Sequence, residues 1–130
     1  MLKVRCPLGL FALLAFIPVA QAASQSLLPL ERGAYALETT SCPQRSRAEI
    51  MTYWGDRLNQ STADCAISNV KSQGSVYTFT SRCKIEGERK RQIETVVLRI
   101  ADKKHFVVVS TVNGKPDETA YKWCSYSAFD

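Results

Sequence analysis

Histidine is almost missing from this sequence: His105 is the only one in 130 residues. No HExxH, GxSxG, glycine-rich phosphate loop or EF-hand pattern occurs either, so the metal, serine and phosphate chemistries those patterns serve have no foothold. Six glycines and five prolines are too few for a flexible low-complexity linker or a collagen-like fibre. No pair of cysteines has the C-x2-C spacing of a zinc knuckle. No stretch of ten or more residues carries a helical apolar stripe, and there is no internal repeat. Ordinary charge (22%) and aromatic content (9%) rule out a disordered tail, and the length suits one compact domain.

What is present begins with an export signal. Lys3 and Arg5 form a short positive region, Leu8 to Val19 an apolar run broken by Pro18, and Ala20-Gln21-Ala22 a small-x-small cleavage pattern. Twelve apolar residues would span only about 18 Å as a helix, short of the ~30 Å membrane core. The division expected is therefore a signal peptide over residues 1–22 and one exported β domain over residues 23–130, with no transmembrane segment after cleavage. Cleavage removes Lys3 and Arg5 and no acidic residue, so a net charge of +5 becomes +3 over 108 residues. That is well short of a nucleic-acid footprint.

Cleavage also removes Cys6, leaving Cys42, Cys65, Cys83 and Cys124. Four cysteines in an exported chain read as two disulfides formed in an oxidising compartment, periplasmic or extracellular. Alternating residues predict strands over Gly33–Thr40, 65–70, 76–83, 91–100, 105–112 and about 118–126, with tight turns at Asn113-Gly114 and at 102–104 and a hairpin loop over Lys71–Gly74. Residues 46–54 are ambiguous. Ser46 and Glu49 have capping-box spacing, whereas Ile50, Thr52 and Trp54 alternate with Glu49, Met51 and Tyr53, which favours a strand over 49–54. The expected fold is all-β: a single small antiparallel meander of six to seven strands, barrel or sandwich, with two disulfides and at most one short helix. Side-chain parity ranks the cysteine pairings. Cys65 and Cys83 share the apolar side, Cys42 and Cys124 the polar side, so Cys65–Cys83 and Cys42–Cys124 are the expected bridges. The second would close a loop of about 80 residues, worth roughly 4 kcal/mol by chain entropy.

Catalysis needs a nucleophile or a tuned acid and base within reach of one another, and the sequence offers none. His105 reads as a strand-end residue, the cysteines are assigned to bridges, and Glu86/Glu88 and Asp117/Glu118 read as solvated turn charges. No catalytic residue, metal or cofactor is expected. Two features suit binding. Arg82 to Arg91 carries five basic residues against two acidic ones, and its members Lys84, Arg89, Lys90 and Arg91 can meet carboxylates through charge-assisted hydrogen bonds. The alternative for this run is a solvated hairpin loop guarding aggregation-prone strands. Tyr53-Trp54-Gly55-Asp56-Arg57 puts Trp54 beside Arg57, the composition of an interface hot spot, unless Trp54 shares the core with Ile50.

Leu28-Pro29-x-x-Arg32-Gly33-x-Tyr35, Cys42-Pro43, Tyr53-Trp54-Gly55 and the cysteines at 65, 83 and 124 together resemble a loose group of small, exported, uncharacterised four-cysteine proteins of Gram-negative bacteria. That resemblance implies a periplasmic address and no particular activity. In architecture alone the chain is similar to periplasmic lysozyme inhibitors, small disulfide-braced β-barrels, although no segment matches their active-site-inserting loop. The functional expectation is a non-enzymatic periplasmic binding module, an inhibitor or immunity protein against an envelope-attacking enzyme. Its partner would be an envelope protein. The alternative is an envelope-associated protein binding an anionic lipid or polysaccharide by charge.

Overall fold

The fold is that of a computed structural model, which describes residues 25–127 and Pro18. The signal peptide expected over residues 1–22 thus lies, apart from Pro18, outside the described residues. Eight strands follow one another along the chain: β1 (Gly33–Leu37), β2 (Met51–Tyr53), β3 (Leu58–Asn59), β4 (Ala63–Gln73), β5 (Val76–Ile85), β6 (Gln92–Asp102), β7 (His105–Val112) and β8 (Lys115–Ser125). Every pairing is antiparallel, and the sheet order is β3-β2-β1-β8-β7-β6-β5-β4. The two ends of that order are joined by bridges Gln60↔Ala63 and Arg57↔Ala66 and by the Ile67 N–H donating to the Asp56 carbonyl. The sheet is a nearly closed barrel, and the sandwich alternative is set aside.

The strand count is eight instead of six to seven because β3 has only two residues, too few to show alternation. Thr40 N–H bonds back to the Leu37 carbonyl, ending β1 three residues before the expected Thr40. Lys71 to Gln73 belong to β4 instead of a loop, since the hairpin turns over Gly74-Ser75 alone. Gly74 has φ +61° at the first central position, as a two-residue hairpin turn favours. Asn113 and Gly114 both have positive φ (52° and 74°), and β8 starts directly after them at Lys115, earlier than the expected 118. Both signals in residues 46–54 are used. The Ser46 hydroxyl accepts from the Ala48 N–H and starts a 3-10 turn over Arg47–Glu49, so β2 covers only Met51–Tyr53 and Glu49, Ile50 and Trp54 fall outside the strand expected over 49–54. A second 3-10 turn covers Cys42–Gln44, and there is no α-helix among the described residues.

The barrel interior holds Tyr35, Met51, Tyr53, Leu58, Ile67, Phe79, Leu98, Ile100 and Phe106. Ile67 and Val70 both pack inward although three apart, because a bulge with Asn69 at φ 52° shifts the phase of β4. Leu28 and Leu30 from the entry segment also pack into this core. The Tyr53 hydroxyl accepts from the Leu28 N–H (2.9 Å) and donates to the Gly55 carbonyl (2.8 Å), which also accepts from the Leu27 N–H. This buried phenol fixes the β2–β3 turn. The disulfides are Cys65–Cys83, buried inside the barrel, and Cys42–Cys124, which ties the segment after β1 to β8.

Candidate functional site

Directly opposed residues in an antiparallel pair share a face of the sheet, so the registers show which side chains converge outside the barrel. Arg57 opposes Ala66, Ala66 opposes Arg82, and Arg82 opposes Ile93. Asp64 and Ala66 face outward because Cys65 faces inward, and Lys84 opposes Asp64 in the neighbouring row. The Trp54 N–H donates to the Arg57 carbonyl at 3.0 Å, setting Trp54 at the near end of the same face. The β5–β6 loop carrying Arg89, Lys90 and Arg91 lies at the far end, anchored by the Glu86 N–H on the Thr62 carbonyl. Trp54, Arg57 and Lys84 thus lie on one outer face, and the basic triplet adjoins it.

Electrostatics separates these residues. The Arg57 guanidinium lies 2.6 Å from Asp64, and that hydrogen bond raises its already high pKa. Among the described residues, Lys84, Arg89, Lys90 and Arg91 have no ion-pair partner. Glu88 instead accepts from the Gln92 side chain at 3.1 Å. The basic run therefore presents its charge to solvent.

Trp54 is not in the core. It is 44% exposed while Ile50 is buried, and the two line an outer groove of about 340 Å³ with Arg47, Thr52, Asn59, Gln60 and Ser61. A shallower trough of about 410 Å³ continues past Gln60 and Ser61 to Asp64, Lys84 and Glu86. The Asn59 carboxamide oxygen accepts from the Cys65 N–H at 2.9 Å, which braces the groove rim. Sequence reasoning missed this groove. The outward parity of Ile50, Thr52 and Trp54 was visible, but that the 3-10 turn folds Arg47 against them was not.

Among the described residues, two carboxylates and the histidine are engaged in separate local pairs. Glu118 makes a two-pronged ion pair with Arg99 at 2.8 and 2.9 Å, which holds its carboxyl below the usual range. It sits in β8, not in a turn as expected. Asp102 is held low by His105 Nδ1 at 2.9 Å and by the Lys104 N–H. Tyr35 is driven upward by burial, and its hydroxyl donates to the Glu31 carbonyl at 2.6 Å. Among the described residues no group of three or more histidine, cysteine or acidic side chains is placed to hold a metal, and no helix is long and apolar enough to cross a membrane. No family model, curated protein or solved structure matches this chain.

Proposed function

We propose that this protein is a non-enzymatic periplasmic binding module that docks an acidic surface of an envelope protein, in the manner of an inhibitor or immunity protein. The observation that carries the reading is the gathering of Trp54, Arg57 and Lys84 on one outer face, with the unpaired Arg89, Lys90 and Arg91 at its edge. An aromatic anchor at one end of a face and exposed guanidinium groups at the other give an interface both buried area and charge-assisted hydrogen bonds. Two disulfides suit an oxidising compartment, and the sequence of residues 1–22 supplies the route there. Capture of partners from periplasmic extract tests the reading. Replacing Arg89, Lys90 and Arg91 together by Ala should weaken retention of the captured protein at least about tenfold, since rim charges steer and hold complementary surfaces. Undiminished retention would sink it.

The groove beside Trp54 favours one second reading, an envelope-associated protein that binds an anionic polysaccharide or lipid by charge. Its walls pair an aromatic plate with the Asn59, Gln60 and Ser61 side chains, and the trough beyond leads to Lys84. Retention on isolated envelope polymer that collapses with added salt, without any protein partner, would favour this reading.

A further inference from the structure

The barrel is slit on one side. The β6–β7 ladder runs only from Val97↔Val109 to Asp102↔His105, whereas β6 stays paired with β5 as far as Cys83↔Gln92 and β7 with β8 as far as Val112↔Lys115. Among the described residues, 92–96 of β6 and 110–112 of β7 therefore have a ladder partner on one side only. Their free peptide groups can be named. Ile100 N–H donates to the Ser75 carbonyl at 2.8 Å, toward β5. By strand alternation the peptide groups of residues 92, 94, 96 and 98 point the same way, and those of Ile93 and Thr95 point into the slit. Extending the register by two residues from Val97↔Val109 sets Thr111 opposite Thr95, facing the slit from the other wall.

Side chains at the slit suit an incoming strand. Ile93 is 65% exposed on the outer face and Val112 52% exposed on the inner. An open edge flanked by exposed apolar side chains is a template for strand addition. The charge is uneven: Arg89, Lys90 and Arg91 lead straight into the β6 edge and Lys115 begins β8 across from it. Glu94 and Asp117 lie on the inner side, sharing a face with Ser81 and Ser110. Acidic residues of an added strand therefore belong at the end that meets residues 89–91. Ile93 opposes Arg82, which makes the edge continuous with the contact face described above.

From this we infer that the slit receives an extended segment of the partner protein as an added β-strand, hydrogen-bonded to the peptide groups of Ile93 and Thr95, with its acidic end against Arg89, Lys90 and Arg91. The inference rests on the docking-module reading and specifies how the docking is made. The test uses the oxidised, nitrogen-15-labelled protein and an acetylated, amidated peptide of alternating Val and Thr with two Glu at one end. Amide exchange at Ile93 and Thr95 should slow at least tenfold at saturating peptide. A counterpart with Lys in place of Glu should bind at least tenfold more weakly, and one N-methylated along its pairing edge should give no protection. Unchanged exchange at millimolar peptide would overturn the inference. So would protection that appears without peptide and grows with protein concentration, because a second copy would then fill the edge. Partner capture that depends on the basic triplet while Ile93 and Thr95 stay unprotected would overturn the slit and leave the docking face standing. Capture indifferent to the triplet would remove the docking face itself.

Discussion

Some polar side chains on this barrel meet a carboxylate across the sheet or turn, and others face only solvent. Arg57, Arg99 and His105 each meet a carboxylate at hydrogen-bond distance, whereas Lys84 and the triplet at 89–91 meet solvent. The basic run was legible as composition. Its lack of partners was not, because Asp64 neighbours both Arg57 and Lys84 by register and the guanidinium takes it. The ion pairs are exposed and contribute little to stability, yet they leave a measurable mark. Both Glu118 and Asp102 should titrate below the ordinary carboxylate range, by hydrogen bonds from Arg99 and His105 respectively. A folded-state value below the unfolded one means their small contribution is present above the unfolded value and lost as pH falls through the folded one. Carboxyl-carbon NMR titration checks this. Arg99→Ala should return Glu118 to the ordinary range while Asp102 stays low; a Glu118 midpoint indifferent to Arg99 would contradict the assigned cause.

Among the elements, the long strands were readable from alternation and the turns from glycines or, between β6 and β7, from the polar run 102–104, and the failures were all local. β3 escaped notice because two residues carry no period. The Asn69 bulge escaped because a phase shift looks like broken alternation in a linear sequence. The β2–β3 turn matters most, since it carries Trp54 and Arg57 outward while Tyr53 holds its base. Gly55 there has φ +101°, and a Cβ added to it would come within 2.7 Å of the Arg32 guanidinium. Arg32 can shift, but the backbone conformation itself disfavours any side chain. Gly55→Ala should therefore cost about 1–3 kcal/mol, the range for a residue forced into a sparsely populated region. Denaturant unfolding measures it. Loss of under half a kcal/mol would mean the turn relaxes without strain.

For the molecule as a whole, the two disulfides tie parts at very different distances along the chain. Cys42–Cys124 spans 82 residues and joins the chain just after the first strand to the last, while Cys65–Cys83 spans 18 within one hairpin. Loop-closure entropy predicts about 4–5 kcal/mol for the first and about 3 for the second. Replacing each pair by Ala, so that no new polar group is buried, should destabilise more for 42/124 than for 65/83 in urea unfolding. The reverse order would show that loss of the buried bridge inside the barrel outweighs chain entropy. The Cys65–Cys83 pairing was legible in the sequence, because both cysteines lie in paired strands and share the inner face. Cys42 lies in a 3-10 turn beyond the end of β1, so the expected Cys42–Cys124 bridge is present but strand parity is not its cause. The antiparallel meander and the basic run were also legible, each a consequence of short-range period or composition. Three things required the tertiary structure: closure of the ends through Arg57↔Ala66, the gathering of Trp54, Arg57 and Lys84 on one face, and the early end of the β6–β7 ladder. Each depends on where contact between strands begins and ends: the hydrophobic pattern and the turns set a ladder's register, but how far it runs and what it brings together follow from packing around the whole barrel.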